Sequence, residues 1–165
     1  MTIARRGRNK KEYFTSVDLM SVNPSVVIGI DPGTNTGITV YDCEKKEYIA
    51  CDTMLITNAI FLVEKIISQR SPVLITVEDS RSISGDASKK LGAGSIRRDC
   101  SIWEDYLNEK SSIASNGVFY RFVKPTKNPY LKIPILQWMT ISKYKGSKRP
   151  SEHARDSATY IFKYL

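Results

Sequence analysis

Cysteine is scarce in this 165-residue chain: Cys43, Cys51 and Cys100 are the only three, with no CxxC pair and no histidine at zinc-ligand spacing. That excludes a thiolate zinc site and a disulfide framework. Three free thiols in a reducing compartment are expected, with Cys43 and Cys51 placed to face each other across a hairpin. No apolar stretch approaches the roughly 20 residues of a membrane helix. The charged N-terminus lacks the apolar segment of a secretory signal. A cytoplasmic setting is expected. Internal repeats and low-complexity tracts are absent too.

Acid is missing from one long stretch. Residues 121–149 hold Arg121, Lys124, Lys127, Lys132, Lys143, Lys145, Lys148 and Arg149 with no Asp or Glu, matching the whole-chain excess of +8. Segregated charge of one sign suggests a polyanionic partner. Phe122, Tyr130, Trp138 and Tyr144 interleave with these cations and could stack on bases. Nucleic acid is therefore the expected partner.

Residues 1–24 lack sustained periodicity, are basic and end in Asn-Pro, which reads as a flexible arm ahead of one domain at 25–165. Residues 25–31 and 73–78 are continuous apolar runs, the pattern of strands buried on both faces. Residues 36–42 and 47–53 read as a hairpin, and 118–123 as a fifth strand. Helical spacing predicts helices over 57–69, stopped by Pro72, and over 87–109. Gly92 and Gly94 inside the second would suit close approach of another backbone. Ser151 reads as the N-cap of a last helix, with Ala154, Ala158, Ile161 and Leu165 on its inner face. The sum is an α/β fold with a mixed sheet and helices on both faces.

Each buried strand ends on an acid, Asp31 and Glu78. On neighbouring strands these would lie within a few ångströms, and paired carboxylates need a cation to stay ionised. Oxygen donors without thiolates suit Mg²⁺ or Mn²⁺. His153 and Asp156 share a face of the last helix and can complete the set. Asp42, Asp52 and Asp79 read as solvated neighbours.

Together, VVIGIDPGTNTG with its hairpin, ITVEDS, DASKKLGAGSIRRDCSIWEDYL and SEHARDSATYI resemble the RuvC-type Holliday junction resolvases of the RNase H-like superfamily, over roughly residues 26–165. The resemblance implies an RNase H-like five-stranded sheet, with Asp31 as first catalytic acid, Glu78 as second, and His153 and Asp156 as the closing pair. It also implies a homodimer that nicks opposed strands of a four-way junction with Mg²⁺, leaving 5′-phosphate and 3′-hydroxyl ends. Family members often carry aromatics just after the glutamate, where this chain has Asp79-Ser80-Arg81-Ser82-Ile83. The N-terminal arm also lies outside the pattern.

The expected mechanism is two-ion hydrolysis: Asp31 would bridge both ions, Glu78 would bind one, and Asp156 with His153 the other, or His153 would instead position or deprotonate the attacking water. Lys124, Lys127, Lys132, Lys143, Lys145, Lys148 and Arg149 would contact phosphates, joined by Arg81 and Lys89. A C2 dimer matches the two-fold symmetry of a junction. Two other readings stay open, a nuclease acting on RNA–DNA hybrids and a non-catalytic junction binder. An actin-like ATPase needs two such domains, and the chain has room for one.

Overall fold

The computed structural model describes residues 23–82, 93–111, 117–125 and 134–165. Most of the N-terminal arm, Lys89, Lys127, Tyr130, Lys132 and the first part of the helix expected at 87–109 lie outside them.

The described elements run β1 (Val26–Asp31), β2 (Asn35–Asp42), β3 (Glu47–Leu55), α1 (Ile56–Gln69), β4 (Val73–Glu78), α2 (Ala93–Ser111), β5 (Val118–Val123), α3 (Ile135–Ile141) and α4 (Glu152–Ala158). A 3₁₀ turn at Ser80–Ser82 follows β4, and a second at Thr159–Tyr164 extends α4. The strands form one five-stranded sheet in the order β3-β2-β1-β4-β5. β1 pairs antiparallel with β2 and parallel with β4, and β5 continues the parallel half. This is the mixed sheet expected of an RNase H-like α/β fold.

The continuous apolar runs occupy the middle of the sheet because only there are both faces covered. Val26, Ile28 and Ile30 point to the side closed by Ala59 and Val63 of α1 and by Trp103 and Leu107 of α2. Val27 points to the other side and packs with Tyr41 and Ile161. Trp138 of α3 and Ala154 and Ala158 of α4 cover β3 on that second side, around Cys51. Helices thus lie on both faces.

Two glycines let α4 lie close against the strands. A β-carbon at Gly29 would collide with the carbonyl oxygen of Ser157, and one at Gly37 with that of His153. Thr39 fastens the same contact, with its hydroxyl 3.2 Å from Ala154 O and 2.8 Å from Ser157 Oγ. Around Gly94, by contrast, a β-carbon would meet nothing among the described residues within 4 Å. The close approach expected at that helix glycine is found instead at these strand glycines, where bare backbone makes room; Gly92 lies outside the described residues.

Other expectations are corrected. Cys51 pairs with Thr39 in the hairpin register while Cys43 lies in the turn, so the two thiols do not face each other, and both are free. Asp42 is buried rather than solvated: its carboxylate accepts from the Lys45 N–H at 2.9 Å and is paired with Arg70. Burial works against that charge, but the Lys45 N–H and the Arg70 guanidinium outweigh it and lower the carboxyl below its usual range. Trp138 is fully buried on the inner face of α3, packed near Tyr144 and Phe162, and so cannot stack on a base.

Candidate active site

The register brings the acids together. Ile30 is level with Val77 across the parallel β1–β4 pair, so Asp31 and Glu78 end their strands side by side. Strands lie about 4.8 Å apart in that direction. Pro32 and Gly33 then carry the chain away from the mouth of the sheet. From the opposite face, α4 reaches over Gly37, the β2 partner of Asp31. Ser151 caps this helix, accepting from the Ala154 N–H at 3.2 Å, which fixes where its first turn begins.

His153 lies in that first turn, and its Nδ1 stands 2.8 Å from Asp31 Oδ2. The ring is largely exposed at 59% of its side-chain surface, whereas the Asp31 side chain is only 14% exposed. Burial raises the Asp31 carboxyl to about 6; the negative charges of Glu78 and Asp156 add to the rise, and the His153 contact opposes it. The Glu78 carboxyl is also raised, first by burial and then by Asp156. Asp156 therefore acts on both strand-end acids.

Tyr160 is the residue that sequence reasoning missed. Its hydroxyl donates to Glu78 Oε2 at 2.8 Å, while Ser80 Oγ lies 3.4 Å from Oε1. Both hydroxyls favour the charged carboxylate and work against its burial. The available signal was spacing: Tyr160 follows Asp156 by four residues, which puts it on the same helical face.

The basic residues divide. Lys124 is exposed just beyond β5, where Val123 is level with Glu78. Lys148 and Arg149 are exposed just before Ser151, whose hydroxyl contacts Thr53 in the strand row of Asp31 and Gly37. These three flank the acids. Lys143 and Lys145 line a cleft beside Lys45–Cys51 instead. Arg81 is not an open phosphate ligand: its guanidinium holds Asp79 at 2.7 Å and Glu104 at 2.6 Å and lies 5.0 Å from the centre of the Phe122 ring. It braces the exit of β4 against α2. Asp79 is accordingly a partner in that brace rather than a solvated acid, whereas Asp52 is exposed.

Among the described residues, no three His, Cys, Asp or Glu side chains stand grouped as ligands of one ion. The donor chemistry nevertheless fits a hard divalent cation. Asp31 and Glu78 end adjacent strands, and burial and neighbouring negative charge, that of Asp156 on both, hold the two above their ordinary range. A cation relieves both. Asp31, Glu78 and Asp156 would hold it, with His153 at the rim.

No protein-family model matches the chain, and no curated protein matches it. Among the described residues no helix is long and apolar enough to cross a membrane.

Proposed function

We propose that the protein is a metal-dependent, structure-selective endonuclease that resolves four-way DNA junctions, a RuvC-type resolvase acting as a homodimer. The observation that carries this reading is the convergence of Asp31 and Glu78, from adjacent strand ends, with His153 and Asp156 of the terminal helix. Mg²⁺ or Mn²⁺ held by the carboxylates would supply an acidified water and charge stabilisation for the leaving 3′ oxygen.

The chain's own residues supply the rest. A neutral His153 that donates Nδ1–H to Asp31 keeps Nε2 as an acceptor, able to hold or take a proton from the attacking water. Tyr160 and Ser80 fix the two oxygens of Glu78. Lys124, Lys148 and Arg149 stand where backbone phosphates would enter the site. Two such sites related by a two-fold axis match the opposed strands of a junction.

The test is cleavage of a four-way junction, a linear duplex and an RNA–DNA hybrid by the wild type, Asp31→Asn and Asp156→Asn, in Mg²⁺ and in EDTA. Paired, metal-dependent nicks in the junction alone, lost in both variants, are expected. Preferential cleavage of the hybrid would reassign the substrate. Junction binding without cleavage in any metal would make the protein a binder.

A further inference from the structure

Lys143 and Lys145, remote from the acids, meet Lys45 and Lys46 of the β2–β3 turn around a cleft of about 600 Å³. Tyr48 and Tyr144 also line it, with ring centres 5.3 Å apart in an edge-on contact, and Tyr48 donates its hydroxyl to Ser142 O at 2.7 Å. Glu47 is the one acid in the lining, 4.0 Å from Lys45 Nζ, and Lys143 Nζ donates to Leu165 O at 2.8 Å. Four lysines against one acidic side chain give the lining a net positive charge.

Two of these lysines occupy backbone positions that do not favour them. Lys46 has φ 55° and Lys143 φ 56°, the left-handed region where glycine is the low-cost residue. Lys143 follows the C-cap of α3. Its N–H bonds Thr140 O at 3.2 Å and the Tyr144 N–H bonds Met139 O at 3.0 Å, the closure that usually ends in glycine. Lysine contributes nothing to either turn that glycine would not, so what distinguishes it there is its side chain.

The cleft opens at the β2–β3 turn, the end of the hairpin away from the acids, and runs along β3 as far as Cys51, level with Thr39. Asp31 is level with Gly37, and the turn follows Asp42, five steps along β2. At about 3.4 Å per step this is roughly 17 Å. Lys145, Lys148 and Arg149 follow one another along the segment that leads from the cleft to α4 beside the acids. A duplex carries one phosphate per strand for about every 3.4 Å of its axis, so one laid along this edge would present several to the track.

We propose that the cleft grips the phosphate backbone of a duplex arm while the acids act on the strand at the other end of the sheet. The proposal rests on the nuclease reading for its choice of nucleic acid as occupant, and its test does not depend on cleavage. Binding of labelled duplex and four-way junction is measured by fluorescence anisotropy in EDTA across a salt series. The full-length wild type is compared with Lys46→Gly/Lys143→Gly, with the same pair plus Lys45→Gln/Lys145→Gln, and with Asp31→Asn. Weaker binding is expected in the lysine variants. The slope of log affinity against log salt should shrink by about 0.9 for each phosphate that is no longer neutralised. Melting temperature should hold or rise in the glycine pair, since glycine suits both positions. Unchanged affinity and slope in the fourfold variant, with its melting temperature retained, would overturn the proposal. So would loss of binding to a poly-glutamate peptide with DNA binding intact, which would make the cleft a protein-docking site. The two readings stay apart: the cleft stands on binding alone, and the nuclease reading falls if the wild type cuts no substrate in Mg²⁺ or Mn²⁺.

Discussion

His153 Nδ1 lies 2.8 Å from Asp31 Oδ2, across 122 positions of sequence, and ties the first strand to the last helix. The contact exists because α4 lies directly over Gly37, the antiparallel partner of Asp31. It places an imidazole at the open rim of a buried carboxylate, so one group is shielded and the other reaches solvent. Burial raises that carboxyl to about 6, and the contact with the ring opposes the rise.

Replacing Asp31 by Asn should stabilise the fold while removing cleavage. The Asp31 carboxyl is raised to about 6 from an ordinary 3.8. A raised acid contributes stability that is fully present below its unfolded value and lost as pH rises through the folded one, here between about 4 and 6. At pH 7 the buried charge therefore costs on the order of 3 kcal/mol. The variant should melt several degrees above wild type at pH 7, and the gap should close as pH falls below about 4. Melting curves across pH check this; a variant no more stable at pH 7 would remove charge strain from the site.

How far the sequence disclosed this arrangement follows from what kind of force places each residue. The central strands were legible because a strand buried on both faces reads as a near-continuous apolar run, and Val26–Asp31 and Val73–Glu78 do until their closing acids. The start of α4 was legible through Ser151, since capping is local chemistry. Tertiary reasons stayed hidden. Gly29 and Gly37 sit within strand patterns that their neighbours already explain, and only the position of α4 shows why they carry no side chain. Trp138 in a basic stretch looked like a base-stacking ring, but the inner face of a seven-residue helix buries it. Arg81 looked like a phosphate ligand until Glu104, 23 residues away, claimed it.

Tyr160→Phe should act through Glu78. The tyrosine hydroxyl lies 2.8 Å from Glu78 Oε2 and opposes the upward shift that burial imposes. Hydrogen bonds to charged groups are among the stronger ones, so its loss should raise the Glu78 carboxyl further. The acid limb of the pH–rate profile should move to higher pH, with kcat falling more than KM changes. A uniform drop with the limb unmoved would reduce Tyr160 to packing.

Gly37→Ala should push α4 off the sheet, because the new methyl meets the backbone carbonyl of His153 rather than a flexible side chain. Overpacking of this kind costs about 1–3 kcal/mol, or roughly 2–12 °C in melting temperature for a chain of this size. Cleavage by the folded variant should fall further still, since His153 moves with the helix. Gly94→Ala is the contrast: its β-carbon meets nothing among the described residues, so a neutral to stabilising effect is expected. Equal destabilisation by the two substitutions would contradict the packing described for α4.

Adding Mg²⁺ or Mn²⁺ should raise the melting temperature of the wild type, because a cation that binds the assembled acids binds only the folded chain. At a hundredfold excess over its dissociation constant the gain is about 2.7 kcal/mol. Protons compete for the same oxygens, so the effect should grow as pH rises through about 6, where Asp31 ionises. Asp31→Asn and Asp156→Asn should lose most of the shift, and EDTA should reverse it. Lys143→Gly should keep it, since the cleft that Lys143 lines opens beside Lys45–Cys51 and not at the strand ends. If no divalent ion shifts the melting temperature at any pH, the carboxylates hold no metal, and metal-dependent cleavage falls with them.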